Sequence, residues 1–185
     1  MKPLDFAVVG LAHGSNHVLS LMRNPQARVT AVCDLDPRSF AALAAKIEAE
    51  KLTPPPYATV TSYDELLKRD GIEAVVLAVP TGCHAAMTLQ ALSAGKHVLL
   101  EKPLALNLAE ADQICRAAAQ SDRTLAVAYC VRSSHLQHRC LETIARGAIG
   151  EVVLVWYHQF CEEHPVAWRG HRTAGGGKLF DCACH

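Results

Sequence analysis

The stretch Phe6-Ala7-Val8-Val9-Gly10-Leu11-Ala12-His13-Gly14-Ser15 decides the fold. Four apolar residues run into a glycine, and a helical pattern over 15–23 follows. A strand, a tight turn and a helix start in that order aim backbone N–H groups and the positive end of a helix at an anion such as a pyrophosphate. The usual fingerprint of such a turn is G-x-G-x-x-G. Here Ala12 replaces the second glycine, Ser15 replaces the third, and Gly14 is out of register. Taken alone, the turn reads equally well as an ordinary glycine turn between a strand and a helix.

Working outward, the chain repeats the alternation. RVTAVCD (28–34), AVVLAVP (74–80), HVLLEKP (97–103) and TLAVAYC (124–130) are apolar β-rich runs, and YATVTS (57–62) can contribute a short strand. Between them, 37–50, 63–69, 83–94, 107–121 and 134–146 carry helical patterns. Asp36-Pro37 reads as an N-cap followed by proline at the first helical position. Gly95 and Gly147 stand where a left-handed cap ends a helix. Continuous rather than alternating apolar strands imply a sheet covered on both faces. Helices between them make the crossovers right-handed and the strands parallel. The expected architecture is α/β: a Rossmann-type doubly wound parallel sheet over residues 1–130, with the start of a second α/β domain in 131–185. EVVLVWYHQF (151–160) reads as a long strand opening that second sheet, with too few partners here. Its apolar edge predicts a homo-oligomer.

The totals narrow the function. Eighteen basic side chains balance eighteen acidic ones in 185 residues, so no nucleic acid or anionic membrane is expected as a partner. The apolar run near Met1 is too short for a secretory signal, and no stretch approaches a membrane span. A cytoplasmic protein is expected. In that compartment the eight cysteines are expected to be free, most of them packed as small hydrophobes.

Three strand ends turn the glycine turn into a cofactor site. Asp34 ends the second run, 24 residues after Gly10, where a carboxylate accepts from the adenosine ribose hydroxyls. It would repel a 2′-phosphate, which favours NAD; Arg38 nearby keeps NADP possible. Val79-Pro80-Thr81 and Glu101-Lys102-Pro103 end the next two strong runs, on the edge where open α/β sheets bind ligands. The candidate cofactor-binding residues are Gly10, Ala12, His13, Asp34, Arg38, Pro80, Thr81, His84, Glu101, Lys102 and Arg132. His84 either caps its helix or touches the cofactor.

With Glu101-Lys102-Pro103 in place, the chain resembles the Gfo/Idh/MocA family of oxidoreductases. Further points of likeness are Cys33-Asp34-Leu35-Asp36-Pro37, Ala78-Val79-Pro80-Thr81 with His84, Ala94-Gly95-Lys96-His97-Val98, Gly147-Ala148-Ile149-Gly150, Trp168-Arg169 and the 175–181 stretch GGGKLFD. The resemblance implies hydride transfer between NAD(P) and a secondary alcohol of a sugar, cyclitol or related polyol. It implies that Lys102 lies near nicotinamide and substrate, and that Asp181 and His185 match an Asp-x-x-x-His pair whose histidine accepts the proton. Family members carry a large second domain, so the expectation is a fragment or an interrupted reading frame. On chemical grounds, two residues four apart share a helix face, so a carboxylate at 181 can orient an imidazole at 185. Lys102 suits a developing alkoxide.

Metal is not expected. Cys161, His164, Cys182, Cys184 and His185 match no common zinc spacing. The alternative to an enzyme is an NAD-binding regulatory relative or a fragment that binds without turnover. A scaffold role is poorly supported, because charged or turn residues occupy three strand ends.

Overall fold

The computed structural model describes residues 2–156, 171 and 173–177. Six strands, β1 (Leu4–Val9), β2 (Ala27–Cys33), β3 (Ala58–Val60), β4 (Ala74–Leu77), β5 (His97–Leu100) and β6 (Leu125–Val127), form one sheet in the order β3-β2-β1-β4-β5-β6. All adjacent pairs are parallel. This is the doubly wound order in which the chain reverses direction between β1 and β4. The crossovers carry α1 (Leu11–Met22), α2 (Arg38–Ala49), α3 (Tyr63–Leu67), α4 (His84–Ser93) and α5 (Leu108–Gln120); α6 (His135–Ala145) follows β6.

The strands form because their runs are buried on both faces. Val75, Leu77, Leu100, Leu66 and Ala91 pack on one side of the sheet. Val8, Val29, Val32, Val76, Leu43 and Val18 pack on the other. Helix α2 starts at Arg38 with Pro37 as its N-cap, one residue later than the sequence reading places it; the Asp36 side chain accepts from the Arg38 N–H at 3.0 Å. Gly95 and Gly147 close α4 and α6 with positive φ. Helix α1 starts at Leu11, four residues before the helical pattern begins, because the turn is made by Gly10 alone.

Two expectations are corrected. Of the five described cysteines, all free, only Cys33 is buried; Cys83, Cys115, Cys130 and Cys140 are exposed. Cys130 and Cys140 stand in segments with no buried residue, 130–133 and α6, and Cys115 stands in α5, where Ile114 alone is buried. Burial beside the Asp34 carboxylate pushes the Cys33 thiol up to about 11. Residues 151–156, the described part of the expected strand 151–160, pair with nothing among the described residues and are exposed. A strand needs a ladder partner, and five apolar residues in sequence do not supply one. Among the described residues no helix is long and apolar enough to cross a membrane.

At the far edge of the sheet from the glycine turn, Asp5 is buried at the start of β1 and receives Nε and Nη2 of Arg28 at 2.6 and 2.7 Å. The Asp5 backbone N–H donates to Glu73. The Arg28 guanidinium holds the Asp5 carboxyl below its ordinary value, against the opposing effect of burial. A carboxyl depressed on folding contributes stability above its unfolded pKa and loses it as pH falls through the folded value. Asp5→Asn is therefore expected to flatten the acid limb of stability. Urea midpoints of the two proteins, followed from neutral pH to about pH 2, should converge as pH falls. An equal separation at every pH would contradict the assignment.

Candidate functional site

The C-terminal ends of the strands converge because the ladder continues past each strand into its loop. Gly10 N–H donates to Cys33 O, Asp34 N–H to Val60 O, Ala78 N–H to Val9 O, Glu101 N–H to Leu77 O and Ala128 N–H to Leu100 O. Gly10, Asp34, Ala78 and Glu101 are thereby held along one edge, with Gly10 and Ala78 on either side of the β1/β4 switch point.

Gly10 has φ +82°, and a Cβ there would lie 2.4 Å from Ala78 O. Only glycine fits, and the bare backbone lets the end of β4 approach the turn closely. Helix α1 has no acidic residue in that first turn. Its early N–H groups, among them those of Ala12 and His13, are of the kind that a helix leaves without an intrahelical acceptor. The Leu11 N–H donates to Asp34 Oδ2 at 2.7 Å, and the Asp36 N–H donates to Asp34 Oδ1 at 2.9 Å. The Asp34 carboxylate is thus aimed at the start of α1 and across the mouth of the turn. Leu35 beside it is 88% exposed. Arg38 is exposed, and its guanidinium is engaged by Asp36, with Nη2 2.8 Å from Oδ2.

Gly14, read from sequence as out of register, has a role of its own. A Cβ there would lie 3.0 Å from Val8 Cγ1 and 3.2 Å from the Ala78 Cβ. The helix crosses the sheet closely at this residue, one position before the buried Ser15, whose hydroxyl receives Lys46 Nζ at 2.8 Å. The close helix–strand packing usually assigned to the third glycine is supplied one residue early.

At the end of β5, Glu101 is nearly buried, and its Oε1 lies 2.7 Å from His17 Nε2 and 3.3 Å from His13 Nε2. A carboxylate only accepts, so Nε2 of each histidine carries the proton in this contact. Burial would push the Glu101 carboxyl up, but the two imidazoles outweigh it and hold the group well below the carboxylate range. His17 is the participant that sequence reading missed. The only available signal was its spacing of four from His13, and its partner lies 84 residues away.

The other expected residues are placed as follows. Glu101 Oε2 accepts the Lys102 N–H at 3.1 Å, so Lys102 follows directly from the His13–His17–Glu101 cluster; its peptide bond to Pro103 is cis. Pro80 is exposed and Thr81 is buried at the end of β4. Gly82 donates to Ala174 O at 3.0 Å, which brings the glycine-rich segment against this edge. Of the two readings of His84, capping is corrected: the residue is the first of α4, makes no cap contact and is 1% exposed. Its Nδ1 lies 2.8 Å from Pro103 O and its Nε2 3.0 Å from Val79 O. Burial pushes its pKa down, against the pull of those carbonyls. His84 ties the Glu-Lys-Pro loop to the end of β4 and so positions Lys102. Arg132 is exposed and, with Val127, Tyr129 and Ser133, lines a cavity of about 330 Å³ beyond β6. Asp181, His185, Trp168, Arg169 and the Cys161, His164, Cys182 and Cys184 set lie outside the described residues.

A family model described as an oxidoreductase family with an NAD-binding Rossmann fold matches residues 4–129. The 1,5-anhydro-D-fructose reductase of Ensifer adhaerens is 34% identical over 130 residues, 69% of this chain. The inositol 2-dehydrogenase of Rubrobacter xylanophilus is 36% identical over 143 residues, 76% of this chain. The match spans 39% of the length of each of these relatives. A solved structure of an NAD-binding protein from Listeria innocua superposes with a TM-score of 0.82 at 25% identity, covering 98% of this chain and 52% of that one. The glycine turn, the Asp34 carboxylate and the Glu-Lys-Pro strand end therefore sit in a family that uses this sheet to bind a dinucleotide: the chain belongs to the Gfo/Idh/MocA family of oxidoreductases.

Proposed function

We propose that this chain is the cofactor-binding part of an NAD-dependent oxidoreductase that transfers hydride between nicotinamide and a secondary alcohol of a sugar, cyclitol or related polyol. The observation that carries the reading is the meeting of Gly10, the first turn of α1 and the Asp34 carboxylate at the switch point of the sheet. The residues fit the dinucleotide. The bare Gly10 backbone and the α1 N–H groups suit the pyrophosphate. Asp34 suits the adenosine ribose, and exposed Leu35 offers apolar surface beside it for the adenine. The carboxylate disfavours a 2′-phosphate, and Arg38, the residue that would favour NADP, is engaged by Asp36. When bound, the nicotinamide accepts or returns the hydride. Lys102 stands at the strand end where a cation can stabilise the alkoxide oxygen. Asp181 and His185 are assigned the proton transfer, the carboxylate orienting the imidazole. The substrate class follows the inositol and anhydrofructose relatives.

In this reading residues 1–130 form the cofactor domain and 131–185 begin a substrate domain. The exposed run Val153, Leu154, Val155 and Trp156 supports a sheet completed there and an association of protomers through it. Calorimetric titration with NAD and NADP is expected to show saturable binding of both, with NAD at least about tenfold tighter, one charge-pair penalty of roughly 1.4 kcal/mol. Reduction of NAD by a polyol panel separates enzyme from binding module: NAD binding with no turnover of any polyol favours the non-catalytic reading for this chain. No binding of either nucleotide would overturn both.

A further inference from the structure

Among the described residues, His13 and Glu101, both named above for the cofactor edge, join His17 in a set of side chains with the composition of a metal centre. His13 and His17 are one helical turn apart on α1 and therefore share a face. Glu101 reaches them from the end of β5. One ligand atom from each, Nε2, Nε2 and Oε1, all lie within 4.8 Å of one another. From this geometry we propose that His13, His17 and Glu101 bind a divalent transition-metal ion of the zinc class.

Two imidazoles and a carboxylate are a ligand set that zinc accepts, with metal–ligand bonds of about 2.0–2.2 Å. Tetrahedral geometry at those lengths separates the ligand atoms by roughly 3.3 Å. The His13–Glu101 pair already stands at 3.3 Å, and the His17–Glu101 pair at 2.7 Å has to open by a little over half an ångström. The ion takes the place of the proton on each Nε2, and that proton moves through solvent to Nδ1. No oxidation or bond cleavage is involved.

The frame for the ligands is rigid. Helix α1 is held against the sheet at Gly14 and Val18, and β5 is an interior strand. The second carboxylate oxygen of Glu101 is already oriented by the Lys102 N–H, the kind of outer contact that keeps a ligand in place. His13 is 56% exposed, so a fourth position opens to water. Three protein ligands with one open position describe a site that can take a further ligand rather than a closed structural one. The site shares His13 and Glu101 with the proposed cofactor edge, but metal binding is read without any nucleotide, so its failure is distinct from a failure of the dinucleotide reading.

Exposed cysteines also bind zinc, so the test must separate nitrogen and oxygen ligands from sulfur. The full chain, alkylated with N-ethylmaleimide, is titrated with Co2+ and with Zn2+. One equivalent of Co2+ is expected to give visible d–d bands with no thiolate charge-transfer band, and Zn2+ is expected to displace it and raise the thermal midpoint. His13→Ala changes an exposed residue and should fold, as far-UV circular dichroism can verify. It and Glu101→Gln should each weaken Co2+ binding by about tenfold or more and remove the thermal shift. Absence of Co2+ binding by the alkylated protein, or an unchanged affinity in folded His13→Ala, would overturn the assignment.

Discussion

Gly10→Ala is expected to destabilise the domain by at least about 3 kcal/mol, a large part of the 5–15 kcal/mol that holds a typical domain together. Two separate effects add. The backbone at Gly10, with φ +82° and ψ 97°, lies in a region costing of order 1–3 kcal/mol for a residue with a Cβ. That Cβ would also stand 2.4 Å from Ala78 O and 2.9 Å from Ala78 C. Both are backbone atoms, so β1 or the end of β4 must shift rather than a side chain. Gly71→Ala is the control: its φ is +79° and nothing lies within 4 Å of its Cβ position. It should show conformational strain alone, about 1 kcal/mol. Urea unfolding followed by circular dichroism measures both, and similar losses for the two variants would refute the close approach at the switch point. Gly10→Ala is also expected to weaken NAD binding even where the fold survives, because relieving the clash with Ala78 moves the turn that leads into α1.

Asp34→Ala is expected to weaken NAD binding by about 10- to 100-fold. A hydrogen bond to a charged group contributes roughly 1.5–3 kcal/mol, and each 1.4 kcal/mol is tenfold in affinity. The same substitution leaves the Leu11 N–H without its 2.7 Å acceptor, so a cap-sized loss of about 0.5–2 kcal/mol in stability should accompany it. Asp34→Asn separates the two effects. The amide oxygen can still accept from Leu11 but no longer from Asp36 as well, so part of the stability should return. The charge is gone, so the preference for NAD over NADP should narrow. Calorimetry with both nucleotides reads the first effect and urea midpoints the second. An NAD affinity untouched by Asp34→Ala would remove Asp34 from the cofactor site and leave it as a helix cap only.

The split between readable and unreadable residues follows sequence separation. Strand and helix patterns extend over a few residues, and those of the six sheet strands and the helices between them were legible from their own period; the expected strand 151–160 was not borne out over 151–156. Also legible were the caps at Gly95 and Gly147, and the shared edge of Gly10, Asp34 and Glu101, because strand ends in a parallel sheet all fall on the same side. The contact of His17 with Glu101 was not legible, since nothing local to either residue names the other. His84 was legible as a special residue but not in its role: its partners, the carbonyls of Val79 and Pro103, belong to two different strand ends. The exposed cysteines were misjudged because an apolar pattern does not say whether another element packs on it: the segments of Cys130 and Cys140 bury no residue.

By itself, then, the sequence determined the alternation of strands and helices, their parallel arrangement, the glycine turn and the Asp34 and Glu-Lys-Pro strand ends. Each of these is dictated by short-range sterics and by a hydrophobic period that any sheet covered on both faces imposes. Tertiary structure alone decided that Gly14 rather than residue 15 brings α1 onto the sheet, that Arg28 neutralises a buried Asp5, and that two histidines of α1 meet Glu101 of β5. Those contacts join residues 6 to 84 positions apart. They exist only once the sheet order has set the distance between the elements, and no local preference of the chain encodes that distance.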